Sequence, residues 1–229
     1  MRAVVTGANR GIGLELVRQL LARGDTVEAA ARTMSHDLET LVSPNLRIHP
    51  IDVSEPASIT WFAANLGAVA IDMVFNVAGV SGGSRQSLQQ MNDDLALRGA
   101  LETYDVNALG PLRVSIALLP FLRRGTAKKL IHLTSGMGSI ADNSSGGHYA
   151  YRMSKTALNM MSKSLAVDLR NDGIISIVVN PGWVQTDMGG HSAPTPVADS
   201  VRGILAIADS ATLADSGEFF NWKGGRYPW

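Results

Sequence analysis

Short apolar runs alternate along this chain with longer stretches in which apolar residues recur every three or four positions. "AVVT" near the start gives way to a helical pattern over 12–23, with Ile12, Leu16 and Leu20 on one face. "TVEAAA" and "LRIHPI" follow, then a helical stretch over 56–66, "DMVFNV", a long amphipathic segment over 102–122, "KLIHLTS", a second long helix over 150–171, and "ISIVVN". Near-continuous apolar strands separated by amphipathic helices are what a parallel sheet buried on both faces requires. The pattern predicts a doubly wound α/β fold, a parallel sheet flanked by helices on both faces.

Two glycine- and serine-rich patches, over 79–87 and 136–147, each follow a predicted strand. A third irregular stretch begins at Pro181 after "ISIVVN", and its length and composition predict a lid over about 183–198. In an open parallel sheet these loops share the carboxyl edge, where ligands bind. No repeat or linker-like tract interrupts the pattern, so 1–229 is read as one domain.

Composition narrows the possibilities. A chain of 229 residues that is 45% hydrophobic can bury one sizeable core. Twenty basic and twenty acidic side chains give no net charge, so neither nucleic acid nor a membrane surface is an expected partner. With no cysteine, disulfides and thiolate chemistry are excluded, and a reducing compartment fits. "MRAVVTGANRGIG" lacks the apolar length of a secretory signal, and no run approaches a membrane span, so a cytoplasmic location is expected.

"TGANRGIG", Thr6 to Gly13, lies between the first strand and the first helix. Gly7, Gly11 and Gly13 permit a tight turn and close backbone approach, and the helix start offers unpaired N–H groups to a pyrophosphate. Three glycines at such a junction also suit a plain turn, and their spacing differs from GxGxxG.

With this loop at the start of the chain, further motifs follow in order: Asp52-Val53, "NVAG" over Asn76 to Gly79, Asn107, Ser135, Tyr151 with Lys155, and Pro181-Gly182 leading to Thr186. The set resembles the short-chain dehydrogenase/reductase family over nearly the whole chain. Val77 departs from it, standing where the family usually has a second asparagine. The resemblance implies a single-domain Rossmann fold and a nicotinamide cofactor held by Gly7, Asn9, Arg10, Gly11, Ile12, Gly13, Arg32, Asp52, Val53, Asn76, Ala78, Gly79, Tyr151, Lys155, Pro181, Gly182, Val184 and Thr186. It also implies homodimers or homotetramers built through the two long helices.

The second strand ends on Arg32 rather than on an acid that would accept from a ribose 2′-hydroxyl. A guanidinium clasps a 2′-phosphate where a carboxylate would repel it. Arg10 lies where NADP-using members of the family often carry a second basic residue. Either arginine alone also suits a solvated surface; together they favour NADP(H).

Tyr151 and Lys155 are four apart, which stacks them on one helical face, whereas Tyr149 meets Met153 at that offset. A free phenol titrates near about 10, and a neighbouring ammonium lowers that value and makes Tyr151 a usable acid/base. Ser135, at the end of "KLIHLTS", is positioned to hold a substrate oxygen, with Ser139 as its rival. Asn107 suits either a solvent-facing or a backbone-bonded amide. By resemblance it holds a water linking Lys155 to bulk, and Lys155 bonds the nicotinamide ribose. His148 has no evident role, and no histidine or acid spacing suggests a metal.

Ser139 and Tyr149, with Trp183 and Met188 from the lid, are candidate substrate contacts, and their mixture suits a largely apolar carbonyl compound. Trp183 and Met188 equally suit the core. "SIADNSSGGHYAYRMSK", "NPGWVQTDMGG" and "GEFFNWKGGRYPW" resemble the branch of the family that holds C-factor and the sniffer-type carbonyl reductases, which makes Trp222 and Trp229 candidates for a wall or an interface. The expected activity is NADPH-dependent carbonyl reduction. The alternative is a dinucleotide-binding signalling or regulatory protein. A sugar-nucleotide epimerase would need a longer C-terminal portion.

Overall fold

Seven parallel strands in the order β3-β2-β1-β4-β5-β6-β7 form the centre of the molecule. In the computed structural model, which describes every residue except 84 and 85, they are β1 (Arg2–Thr6), β2 (Thr26–Ala31), β3 (Leu46–Pro50), β4 (Met73–Asn76), β5 (Lys129–Leu133), β6 (Ile175–Asn180) and β7 (Phe219–Asn221). Part of the glycine- and serine-rich patch over 79–87 thus lies outside the described residues. The helices are α1 (Gly11–Ala22), α2 (His36–Glu39), α3 (Pro56–Asn65), α4 (Asp94–Tyr104), α5 (Gly110–Leu122), α6 (Tyr149–Asp168) and α7 (Val197–Ser210). The chain winds outward from β1 to β3 and then returns to β4 on the other side of β1, so a crevice opens between the carboxyl ends of β1 and β4.

Alternate residues of each strand feed two cores. Ala3 and Val5 of β1 join Leu14, Val17, Ile204 and Ala208 under α1 and α7. Val4, between them, joins Phe62, Val114, Leu118 and Leu122 under α3 and α5. Both faces are covered, which is why most strand positions are apolar.

The long helix starts at Asp94 rather than near 102, because the Asp93 carboxylate accepts from the Leu95 N–H at 3.0 Å and caps it. α4 and α5 are joined by a wider π turn, Asp105–Leu109, into one rod. By length and apolar composition this rod, Asp94–Leu122, is sufficient to cross a membrane, yet 44% of its most apolar window is buried, and it packs on α3 and α6 as a core helix does. α7 and β7 extend the alternation beyond the last predicted strand; Val201, Ile204 and Phe219 are fully buried.

A string of polar side chains crosses the middle of the sheet. The Asn76 amide of β4 donates to Ser115 Oγ at 3.3 Å and to His132 Nδ1 of β5 at 3.1 Å. His132 Nε2 then meets Ser176 Oγ of β6 at 3.3 Å, and Ser176 meets Ser162 of α6 at 2.9 Å. Burial, aided by the Lys155 charge, lowers the His132 pKa to about 3, so the imidazole is neutral.

Candidate active site

The glycine loop is built by close approach of main chain to main chain. A side chain at Gly13 would begin 2.1 Å from the Gly7 carbonyl oxygen, so any larger residue would push α1 off the turn. Thr6 Oγ1 accepts the N–H groups of Val77 at 3.1 Å and Ala78 at 3.3 Å, tying the loop after β4 to the loop after β1. The Asn9 carbonyl accepts from Ser35 Oγ. Gly11 faces the Thr186 methyl at 3.2 Å, measured from where its own side chain would start. Ile12 packs its side chain toward the core, leaving only its main chain to the crevice.

Arg32 stands in the open at the end of β2, 3.8 Å from Asp52, with 69% of its side chain exposed. Burial raises the Asp52 pKa, but hydrogen bonds from Ser54 and the Arg32 charge outweigh it and hold the carboxyl below its usual range. Arg10 is occupied differently: its guanidinium donates to Asp187 of the lid at 2.9 Å across the mouth of the crevice. Val53 is buried beneath Gly110. The Asn76 side chain is buried, with its Nδ2 committed to the polar string through Ser115 and His132.

At the C-terminal edge of β5, Ser135 caps a short turn, Gly136–Gly138, with its Oγ accepting from Met137 N at 3.1 Å, and its hydroxyl lies near enough to the Tyr151 phenol to lower the phenol's pKa. Ser135, not Ser139, is therefore the serine beside the tyrosine. Lys155 is buried, and its Nζ donates to the Leu133 carbonyl at 2.8 Å and lies 5.8 Å from the Tyr151 ring. Burial lowers its pKa to about 8. The expected acidification of Tyr151 by this ammonium does not appear: burial raises the phenol's pKa, opposed only by the nearby Ser135 hydroxyl, while Lys155 donates to Leu133 O. The tyrosine is a protonated donor at neutral pH.

Asn107 sits in the π turn, fully buried. Its Oδ1 accepts from Val80 N at 2.8 Å, and its Nδ2 donates to Val80 O at 2.8 Å and Ser154 Oγ at 3.0 Å. Both Asn107 Oδ1 and Lys155 Nζ lie against Gly79, 3.1 and 3.6 Å from where a side chain would begin. The amide is thus committed to the wall of the crevice and does not face solvent.

The four tentative substrate contacts do not converge. Trp183 and Met188 are exposed on the lid, with Trp183 Nε1 donating to Gly189 O at 2.7 Å. Ser139 and Tyr149 line a cavity of about 350 Å³ with Met137, Ile140, Arg152 and Met153. Tyr149 and Met153 lie on the opposite side of α6 from Tyr151 and Lys155, with Arg152 on the flank between, since a helix turns about 100° per residue. Ser139 Oγ is used by the Trp229 main-chain oxygen at 3.2 Å and by Asp142 N at 3.0 Å. The lid is knit by a bridge between Val184 and Thr195 and anchored where Pro181 O accepts from Ser200 Oγ at 2.7 Å. Trp222 covers Gly182 and packs against the core under α7, while Trp229 stacks on Phe219, their ring centroids 5.4 Å apart. Leu133 O, Ser154 and Thr6 were not singled out in sequence; main-chain acceptors and small hydroxyls carry no local signal of their partners.

The chain is similar to known proteins in sequence and in fold. The short chain dehydrogenase family model matches residues 1–196. The chain is 47% identical over 168 residues to the C-signal of Myxococcus xanthus, covering 73% of this chain and 98% of that protein. It is 35% identical over 234 residues, 99% of this chain and 98% of the relative, to a 1-hydroxy-2-glutathionyl-2-methyl-3-butene dehydrogenase of Rhodococcus sp. (strain AD45). The NADPH-bound carbonyl reductase from chicken fatty liver superposes with a TM-score of 0.91 at 34% identity, covering 100% of this chain and 98% of that one. Carbonyl reductase Sniffer of D. melanogaster gives 0.92 at 30%, covering 100% and 99%. A glycine loop docked on the strand beside it, with a tyrosine, lysine and serine at the adjoining sheet edge, accords with that match, and the chain belongs to the short-chain dehydrogenase family of oxidoreductases.

Proposed function

We propose that the protein is an NADPH-dependent carbonyl reductase that converts an aldehyde or ketone to the alcohol. The observation that carries this reading is the Tyr151 phenol, kept protonated by burial beside Ser135 and one helical turn from the buried Lys155. NADPH, when bound, supplies the hydride that reaches the carbonyl carbon. The fit of this chain to that cofactor rests on the main-chain cradle at Gly7 and Gly13 and on the open guanidinium of Arg32, which suits a 2′-phosphate. Arg10 joins it only by leaving Asp187.

Tyr151 donates its proton to the substrate oxygen while Ser135 Oγ holds that oxygen in place. The phenolate left behind is stabilised by the Ser135 hydroxyl and by Lys155, which turns from Leu133 O toward it and toward the nicotinamide ribose. Proton resupply through Asn107 uses its main-chain carbonyl in the π turn, because the amide is committed to Val80 and Ser154. The substrate is apolar and neutral, in keeping with Trp183 and Met188 on the lid. Leu97, Leu101, Met153 and Met160, exposed on α4 and α6, support a homodimer or homotetramer joined through these helices, and we place the protein in the cytoplasm.

Turnover of NADPH against aldehydes, ketones, quinones and β-ketoacyl thioesters tests the reading, with Tyr151→Phe as the blank. Expected is oxidation with one class, at least about 10³-fold slower in Tyr151→Phe. Oxidation that persists in Tyr151→Phe, or a better efficiency with NADH, refutes it. The 47% identity to the C-signal favours a second reading, a dinucleotide-binding regulator. A Tyr151→Phe protein with full biological effect would select that reading.

A further inference from the structure

The C-terminal segment crosses the site rather than trailing from it. After β7 the chain reverses: Asn221 N donates to Gly225 O at 3.0 Å, Phe220 bridges Arg226 antiparallel, and Tyr227 N donates to Phe219 O at 2.6 Å. This hairpin lays Tyr227 and Trp229 over the loop that follows Ser135. Three bonds fasten them there: the Tyr227 phenol donates to Asp142 Oδ2 at 2.5 Å, and the Trp229 main-chain oxygen accepts from Ala141 N at 2.8 Å and Ser139 Oγ at 3.2 Å. Fully buried Phe219 anchors the far side, with ring centroids 5.0 Å from Tyr227 and 5.4 Å from Trp229.

The contact nearest the chemistry is with Gly136. A side chain there would begin 2.7 Å from Tyr227 Oη, so the residue next to Ser135 is bare at the point where the phenol rests. The Asp142 hydrogen bond, then burial, push the Tyr227 pKa up to about 12, so the phenol remains a donor throughout the neutral range.

We infer that Tyr227 and Trp229 form a positioning strap that fixes the Gly136–Asp142 turn, and through it the presentation of the Ser135 hydroxyl to the substrate oxygen. This deepens the carbonyl-reductase reading and rests on it for the substrate. Tyr227 is a positioning residue that acts through Asp142 and Gly136.

The test uses Tyr227→Phe, Asp142→Ala, the conservative Asp142→Asn, and the double variant Tyr227→Phe/Asp142→Ala. Amide hydrogen exchange over 136–147 is measured without cofactor, and kcat, KM and NADPH Kd are measured with a small and a bulky aromatic aldehyde. Losing a bond to a carboxylate should speed exchange at residues 139–142 by about tenfold and raise the aldehyde KM about 3- to 10-fold, with a changed preference between the two aldehydes. NADPH Kd should stay within about twofold, because the glycine loop shares none of these bonds. Asp142→Asn, which still accepts from the phenol, should behave as wild type, and the double variant should be no worse than either single one. Unchanged exchange and KM in Tyr227→Phe would overturn the strap, as would a KM rise matched by a rise in NADPH Kd. Asp142 is exposed, so Asp142→Ala leaves the core intact if Tyr227→Phe fails to fold. Should the wild type reduce no carbonyl, that reading fails alone, and hydrogen exchange still decides on the strap.

Discussion

The two ends of the crevice are held by different means. At the cofactor end, main chain meets main chain within a few residues of β1 and β4: Gly13 under Gly7, Ala8 N donating to Ala30 O at 3.2 Å, and Thr6 gathering two N–H groups of the β4 loop. At the substrate end, the loop after Ser135 depends on side chains and on a segment 85 residues away in sequence, through Tyr227 and Asp142. The first construction leaves no room for a side chain at Gly7 or Gly13. On the strap proposed above, changing one tail residue should alter the loop without touching the fold. On the carbonyl-reductase reading, a scaffold built this way would change substrate without changing redox chemistry.

Substitutions can separate the two ends. Lys155→Met should have the largest effect, slowing turnover by about 10³-fold through loss of the charge beside the phenol. It should also stabilise the fold. Burial lowers the Lys155 pKa from its ordinary 10.5 to about 8, so its burial costs stability at neutral pH, and that cost fades as pH rises between the two values. Thermal melts should show a higher Tm, by a gain on the order of 1–2 kcal/mol. An inactive variant that melts lower would contradict this.

Arg32→Ala acts only at the cofactor end. The ratio of kcat/KM for NADPH over NADH should fall about 10- to 100-fold, with the aldehyde KM unchanged. A pH profile of kcat/KM for reduction should be level on the acid side of 8 and fall about tenfold per unit beyond it, as Lys155 loses its proton. An unchanged rate at pH 10 would remove Lys155 from the mechanism. Smallest of all, Asp187→Asn should free Arg10 and tighten NADPH by no more than about twofold, since both partners of that pair are well exposed. A large loss of NADPH affinity would show that the pair clamps the cofactor.

The cofactor end could be read from the chain because its residues are close in sequence and their types are dictated by space: glycine where main chains touch, a lysine four positions after a tyrosine on one helix face. The alternation of apolar runs likewise specified six of the strands. What escaped reading depends on distant partners. Asn76 looks the same in "NVAG" whether its amide turns to the crevice or to His132, and only the strand pairing decides. Ser139 and Ser135 differ by one turn, and their roles separate only once Trp229 claims Ser139. The start of α4 was missed because Leu95, Leu97 and Leu101 lie exposed, so that helix carries little buried stripe to detect.

The neutral imidazole of His132, bridging the amide of β4 to the hydroxyl of β6, acts as a key in a lock. Sliding either neighbouring strand by one residue would reverse the side chains it presents and leave several buried hydrogen-bonding groups stranded in hydrocarbon. Apolar packing alone would specify this less sharply, since only the Ile175, Ile177 and Val179 face of β6 is wholly apolar. Misaligned sheets are thereby rejected during folding, and the strand ends bearing the serine and the glycine-lined crevice arrive at matched heights.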